Sequence, residues 1–166
     1  LTGLPNRRAF EAVYAREVAI ATERGEPICV AFCDIDNFKT INDLHGHDAG
    51  DRILRQVAAT LSGISDETCH VARHGGEEFV AVLRGRTIEQ AHAALDMARI
   101  EMAERRLVNR ATDKPFGRIT FSAGVAAVDS AANPSEALRS ADRALYEAKN
   151  AGRNRVVTAV DGDGSA

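Results

Sequence analysis

Residues 28 to 35 read Ile-Cys-Val-Ala-Phe-Cys-Asp-Ile, a run of strand length with no charged residue before Asp34. The run does not alternate between apolar and polar, so a strand made from it must be covered on both faces. That makes it a central strand, and other elements must supply two covers. Asp34 and Asp36 close the run. Carboxylates at the end of an apolar strand are costly unless they are solvated, paired or bound to metal.

The flanking sequence predicts those covers. Residues 4 to 24 read as a helix with a partial stripe at Phe10, Val13, Tyr14, Glu17 and Val18, ended by Gly25-Glu26-Pro27. A short helix is expected from 38 to 44, broken by His45-Gly46-His47, and a longer one from 48 to 62 with Ile53, Leu54, Val57, Ala58 and Leu61 inward. Residues 69 to 73 and 78 to 83 form a hairpin around Gly75-Gly76-Glu77. A helix spans 87 to 106, a polar loop 109 to 117, and a strand 119 to 128. Pro134 opens a last helix that Gly152 ends, and 155 to 160 forms a final strand. The fold class is therefore α+β: a central, mostly antiparallel sheet flanked by helices. One domain is expected over 1–160, with a frayed tail at 161–166.

Composition narrows the function. With 166 residues, 45% of them hydrophobic and 27% charged, the chain is an ordinary globular one. A net charge of −3 argues against non-specific binding to nucleic acid, but not against a small anion met by local charge. Three cysteines without framework spacing (Cys29, Cys33, Cys69) read as reduced thiols of a cytoplasmic protein. The chain begins with Leu1 and carries no leader, so a piece of a longer protein is expected.

Four groups of residues suggest chemistry. Asp34-Ile35-Asp36 reads either as a solvated strand end with Asp36 capping the next helix, or as a magnesium site using a carboxylate and a backbone carbonyl. A calcium loop fits poorly, because Phe38 and Lys39 stand where a ligand and a glycine belong. Arg73-His74-Gly75-Gly76-Glu77-Glu78-Phe79 is a hairpin tip whose glycines allow positive φ; its acid pair could share a divalent cation with Asp34. Lys149 and Arg153, four residues apart at the end of the last helix, are either a solvated basic end or a polyphosphate clamp. Asn42 and Asp51 flank His45-Gly46-His47 and read as a cap plus a solvated acid, or as a guanine reader. A carboxylate can accept both adjacent donors of guanine and would repel adenine's acceptor. The histidines and cysteines match no zinc spacing.

These residues together carry a family. Leu1-Thr2-Gly3-Leu4-Pro5-Asn6-Arg7-Arg8 comes first. Asp34-Ile35-Asp36-Asn37-Phe38-Lys39, Ile41-Asn42-Asp43, Gly46-His47 and Gly50-Asp51 follow, then Arg73 to Phe79. Later come Ser122-Ala123-Gly124-Val125, the run from Ala141 to Lys149, and Gly152-Arg153-Asn154-Arg155. The ordered set resembles the GGDEF domain of bacterial diguanylate cyclases, here as Gly-Gly-Glu-Glu-Phe, from Leu1 to about Val157.

The resemblance implies a fold similar to nucleotide-cyclase and polymerase palm domains, and condensation of two GTP into cyclic di-GMP with loss of two pyrophosphates. It implies Mg²⁺, with Mn²⁺ as an alternative, held by Asp34, the Ile35 carbonyl and Glu77. Glu77 is the implied proton acceptor and Glu78 its assistant, while Lys39 stabilises the transition state. Asn42, His47 and Asp51 contact the nucleoside. Lys149 and Arg153 grip the terminal phosphates, helped by backbone N–H groups around Asn37, Phe38 and Lys39. Two GTP joined symmetrically require a second copy of the domain. An upstream sensor or dimerising domain, outside this chain, is implied as well. The protein is expected in the cytoplasm, free or as the cytoplasmic part of a membrane-anchored protein. The family's Arg-x-x-Asp inhibitory motif is replaced here by Asp66 and Cys69, so no such inhibitory site is expected. A catalytically idle GTP-binding domain of the same fold, and a pure protein-interaction domain, are the alternatives.

Overall fold

The computed structural model of the chain describes residues 1–129 and 133–160. The central strand, β1 (Ile28–Ile35), is buried at every position except the half-buried Asp34. It is third of five in the order β2 (Cys69–Arg73), β3 (Glu78–Arg84), β1, β6 (Phe121–Ala127), β7 (Val156–Thr158). β1 pairs antiparallel with β3 and β6, β2 antiparallel with β3, and β7 parallel with β6. The expected α+β class and mostly antiparallel sheet are what the chain forms.

The two faces of β1 feed two cores. Cys29, Ala31, Cys33 and Ile35 pack beneath α2 (Phe38–His45), α3 (His47–Ser62) and α4 (Ile88–Glu104). Ile28, Val30 and Phe32 pack beneath α1 (Arg7–Arg24) and α5 (Pro134–Asn150). Every second residue faces the same side, so one uninterrupted apolar run serves both.

Local chemistry sets the helix ends. Asn6, not residue 4, starts α1: its side chain accepts from the Ala9 N–H at 2.9 Å. Thr87 and Gln90 form a reciprocal capping box on α4. Asn133 caps α5 ahead of Pro134. Only Gly46 separates α2 from α3, so the expected break is a single residue. Glu17, on the buried side of α1, meets Arg84 at 2.7 Å. Burial works against its charge, yet hydrogen bonds from Arg84 and Arg16 hold its carboxyl below the ordinary range.

Two expectations change. The polar loop at 109 to 117 contains most of a small hairpin, β4 (Val108–Asn109) with β5 (Lys114–Pro115), which turns through Asp113 at φ 60°. Strands of two residues carry no readable periodicity. The tail expected at 161–166 lies outside the described residues. No helix among the described residues is long and apolar enough to cross a membrane.

α5 lies against β6 at Gly124. A Cβ there would stand 2.2 Å from both the Ala141 carbonyl oxygen and the Leu145 nitrogen, which are backbone atoms of a helix and cannot yield. Gly124→Ala is expected to destabilise the protein by about 2–3 kcal/mol, the scale of forced overpacking. Gly75→Ala, whose Cβ would meet nothing nearer than 3.9 Å, should leave the thermal midpoint unchanged. Thermal denaturation of both variants measures the difference.

Candidate active site

β1 delivers Asp34 and Asp36 to one end of the sheet. Asp34 lies opposite Glu78 on β3 and Ser122 on β6. Beyond it, the Ile35 N–H donates to the Glu77 carbonyl at 3.2 Å, which extends the ladder into the glycine turn and brings Glu77 beside Asp34. Burial, the charge of Asp34 and a hydrogen bond with Asp34 push the Glu77 carboxyl above its ordinary range; Lys149 works the other way. The two acids, 43 residues apart in sequence (77 − 34), thus share one site.

The turn that carries Glu77 is held by its own main chain and by one guanidinium. The His74 and Gly75 N–H groups donate to the Glu78 carbonyl at 2.8 and 3.3 Å. Arg73 donates from Nε to the Gly75 carbonyl at 3.1 Å and from Nη2 to the Gly76 carbonyl at 2.7 Å. Neither glycine takes up a left-handed φ. The positive-φ expectation is therefore corrected: these glycines leave the turn bare rather than bend it. A Cβ on Gly76 would meet nothing within 4 Å.

Lys149 reaches the acids from the last turn of α5. Its Nζ lies 2.9 Å from Asp34 Oδ1 and 2.8 Å from Asp36 Oδ1, and donates at 3.3 Å to the Asp34 carbonyl and at 3.5 Å to that of Ile35. α5 ends at Asn150, so Arg153 is not a helical neighbour of Lys149 as the spacing suggested. It sits in the following turn at φ 65°, exposed, its N–H on the Ala148 carbonyl at 2.9 Å.

Asp36 does not cap α2. Asn37 does, in the left-handed region at φ 56° and without a side-chain bond. Asp36 is 4% exposed and accepts from Thr120, Ser122, Lys149 and the Asn154 N–H. Burial opposes its charge, but the bonds from Lys149, Thr120 and Ser122 hold the carboxyl below its ordinary range. Spacing gave no sign of Arg73's grip on the turn. Thr120 and Ser122, two hydroxyls two residues apart on one side of a strand, were a readable signal.

The candidate nucleoside residues lie on α2 and α3. Phe38 is buried at 8% exposure, which leaves its main chain to meet a ligand, while Lys39 is exposed on the same turn. Asn42 Oδ1 is buried with no hydrogen-bond partner. It faces Gly50 so closely that a Cβ there would stand 1.8 Å from it. A buried acceptor without a donor costs about 1–3 kcal/mol, which a ligand donor would recover. His47 is exposed at the start of α3, and Asp51 is half-buried one turn on.

The described residues hold no cluster of three or more His, Cys, Asp or Glu side chains fit to hold a metal. The donor set is instead two converging carboxylates and the main-chain carbonyl of Ile35. That set is too small for a closed calcium or zinc cage; it could hold a divalent cation that takes most of its ligands from elsewhere.

A family model described as diguanylate cyclase, GGDEF domain, matches residues 1–155. The chain is 38% identical over 159 residues to the diguanylate cyclase DgcP of Pseudomonas aeruginosa, covering 96% of this chain and 23% of that protein. It is 36% identical over 158 residues to the response regulator PleD of Caulobacter vibrioides, covering 95% of this chain and 35% of that one. The chain therefore spans a quarter to a third of these relatives. Among solved structures, the GGDEF domain of DgcB from Caulobacter crescentus in complex with c-di-GMP superposes with a TM-score of 0.92 at 38% identity, covering 95% of this chain and 92% of that one. The active GGEEF domain of a diguanylate cyclase from Vibrio cholerae gives 0.86 at 32% identity, with 96% and 99% covered.

The Glu77 shift has a consequence for stability without metal. The folded protein binds this proton more tightly than the unfolded chain, so stability falls as pH rises above the ordinary carboxyl value of 4.5. In chelator, Glu77→Gln should therefore melt above the wild type at neutral pH. The difference should close near about pH 4, where both carry a neutral side chain. Melting curves across that range check the sign.

Proposed function

Because the chain belongs to the GGDEF domain family, we propose that it condenses two GTP into cyclic di-GMP, releasing two pyrophosphates, on a face shared with a second copy of itself. The observation that carries this reading is the meeting of Asp34 and Glu77 with the Lys149 ammonium at the mouth of β1. An acid pair beside a cation that can turn to a phosphate suits a triphosphate better than any neutral ligand. GTP as substrate and three buried free cysteines suit the cytoplasm.

In each half-reaction a ribose 3′-oxygen attacks the α-phosphorus of the other GTP. The new P–O bond forms as the bond to the bridging oxygen breaks, and pyrophosphate leaves. Asp34, Glu77 and the Ile35 carbonyl would hold magnesium, or manganese in its place, which lowers the hydroxyl's pKa and neutralises phosphoryl charge when bound. Glu77 takes the hydroxyl proton. Glu78, across from Asp34, assists. Lys39 faces the charge that develops on the phosphoryl oxygens. Lys149 and Arg153 bind the terminal phosphates, aided by N–H groups at Asn37, Phe38 and Lys39. Asn42, with its unpaired acceptor, His47 and Asp51 hold the nucleoside, and the Asp51 carboxylate suits guanine's two donors.

Two copies must meet, so the initial rate with GTP and Mg²⁺ should rise more steeply than linearly with protein concentration. Asp34→Asn should lower product formation by about a hundredfold or more while the fold stays intact. A wild type that binds GTP but yields no product at any concentration would show an idle domain instead.

At the place of the family's inhibitory motif, Asp66 Oδ1 accepts from the Thr68 N–H at 2.7 Å, the Thr68 hydroxyl at 2.9 Å and the Cys69 N–H at 2.9 Å, and Cys69 is fully buried. Asp66 is an acid tied through Oδ1 to its own turn and Cys69 is buried, so these positions supply neither the guanidinium nor the exposed carboxylate of the motif. Added cyclic di-GMP is therefore expected not to slow the reaction through this surface; rates measured over a product titration check it.

A further inference from the structure

Asp36 stands two residues from Asp34 at the same strand end, yet its surroundings are different. Oδ1 accepts from the Ser122 hydroxyl at 2.7 Å and from Lys149 at 2.8 Å. Oδ2 accepts from the Thr120 hydroxyl at 2.6 Å and from the Asn154 N–H at 3.0 Å. A carboxylate has about four lone-pair sites. Asp36 is therefore saturated and has nothing left for a metal or a substrate.

It holds instead two groups from the far end of the chain. One is the Lys149 ammonium, which two carboxylates at 2.9 and 2.8 Å keep centred rather than collapsed onto Asp34. The other is the turn after α5. Arg153 and Asn154 both lie in the left-handed region, at φ 65° and 48°, where side chains with a Cβ are uncommon and need outside support. Asn154 receives it from two sides. Asp36 and Ser122 take its N–H, and Arg99 donates to its carbonyl at 3.2 Å and to its Oδ1 at 2.9 Å, with Arg99 itself braced on Asp96 at 2.7 Å.

We propose that Asp36 is the positioning residue of the polyphosphate clamp, fixing Lys149 directly and Arg153 through the Asn154 N–H so that both cations stand ready for a terminal phosphate. This rests on the GTP reading above. Asp36 touches no reacting atom; it acts by setting two cations on a loop and a helix end against a strand. Asn at this position would turn an NH₂ toward donors that now find an acceptor, and would release the ammonium to pair with Asp34 alone.

Binding separates this role from mere support of the fold. The full chain is titrated by calorimetry, with Mg²⁺, against the α,β-methylene analogue of GTP, which cannot be cleaved at the reacting bond, and against GDP, which lacks the terminal phosphate. Asp36→Asn should lower affinity for the triphosphate by about tenfold, the scale of one charge-assisted hydrogen bond, and leave that for GDP nearly unchanged. Equal losses for both, or no loss, would overturn the proposal. Combined with Lys149→Met, Asp36→Asn should add little, since Asp36 acts mainly through that lysine; full additivity would also overturn it. Should Asp36→Asn fail to fold, Thr120→Val removes one donor at nearly constant shape. It should weaken the triphosphate selectively, and an unchanged preference over GDP would again refute the role. A wild type that ignores the triphosphate analogue would refute the GTP reading itself, a result distinct from a wild type that binds it and a variant that binds it equally well.

Discussion

The site depends on one electrostatic arrangement: a single ammonium shared by two carboxylates at the end of a buried strand. Without Lys149, Asp34 would stand between Asp36 and Glu77 with no cation beside it. Like charges at such distances repel strongly where water is scarce. Burial first, and then the charge of Asp34, raise the proton affinity of Glu77 against the pull of Lys149. The division of labour follows from burial. Asp36, nearly inaccessible and saturated with donors, is part of the scaffold. Asp34, half-buried between Lys149 and Glu77 and without the four donors that surround Asp36, keeps capacity for a ligand.

That arrangement depends in turn on how closely α5 can lie on the sheet. Lys149 is carried by a helix whose backbone touches β6 at Gly124. Any side chain there lifts the helix and moves the ammonium with it. A second close approach, of α2 to α3 at Gly50, does the same for Asn42. In both cases a glycine far from the reacting groups sets their position through packing. The bare turn at Gly75 and Gly76 has the opposite character: its glycines leave space and fix nothing.

The fold was largely legible because the strongest signal, the uninterrupted run at 28 to 35, has one structural meaning. It had to lie mid-sheet, and the helical stripes around it had to cover two faces. The small hairpin at Val108–Pro115 was not legible, since pairs of two residues leave no pattern. In the site, the acids and the basic helix end were visible as residue types at element ends. What they bond to was not. The capping role expected of Asp36 failed because its partners, Thr120, Ser122 and Asn154, come from segments more than 80 residues downstream. The helical spacing of Lys149 and Arg153 failed because α5 stops at Asn150 and Arg153 takes a left-handed φ in the turn that follows.

The rims of the sheet bear on how copies of this chain can meet. A long bare rim invites strand addition from a neighbour and open-ended association. Here the outer strands have only five and three residues. On the β2 side the Pro5 carbonyl already takes the Arg73 N–H at 3.0 Å. Little main chain is left to recruit another sheet. Short, partly covered rims thereby disfavour lateral stacking of one sheet on another.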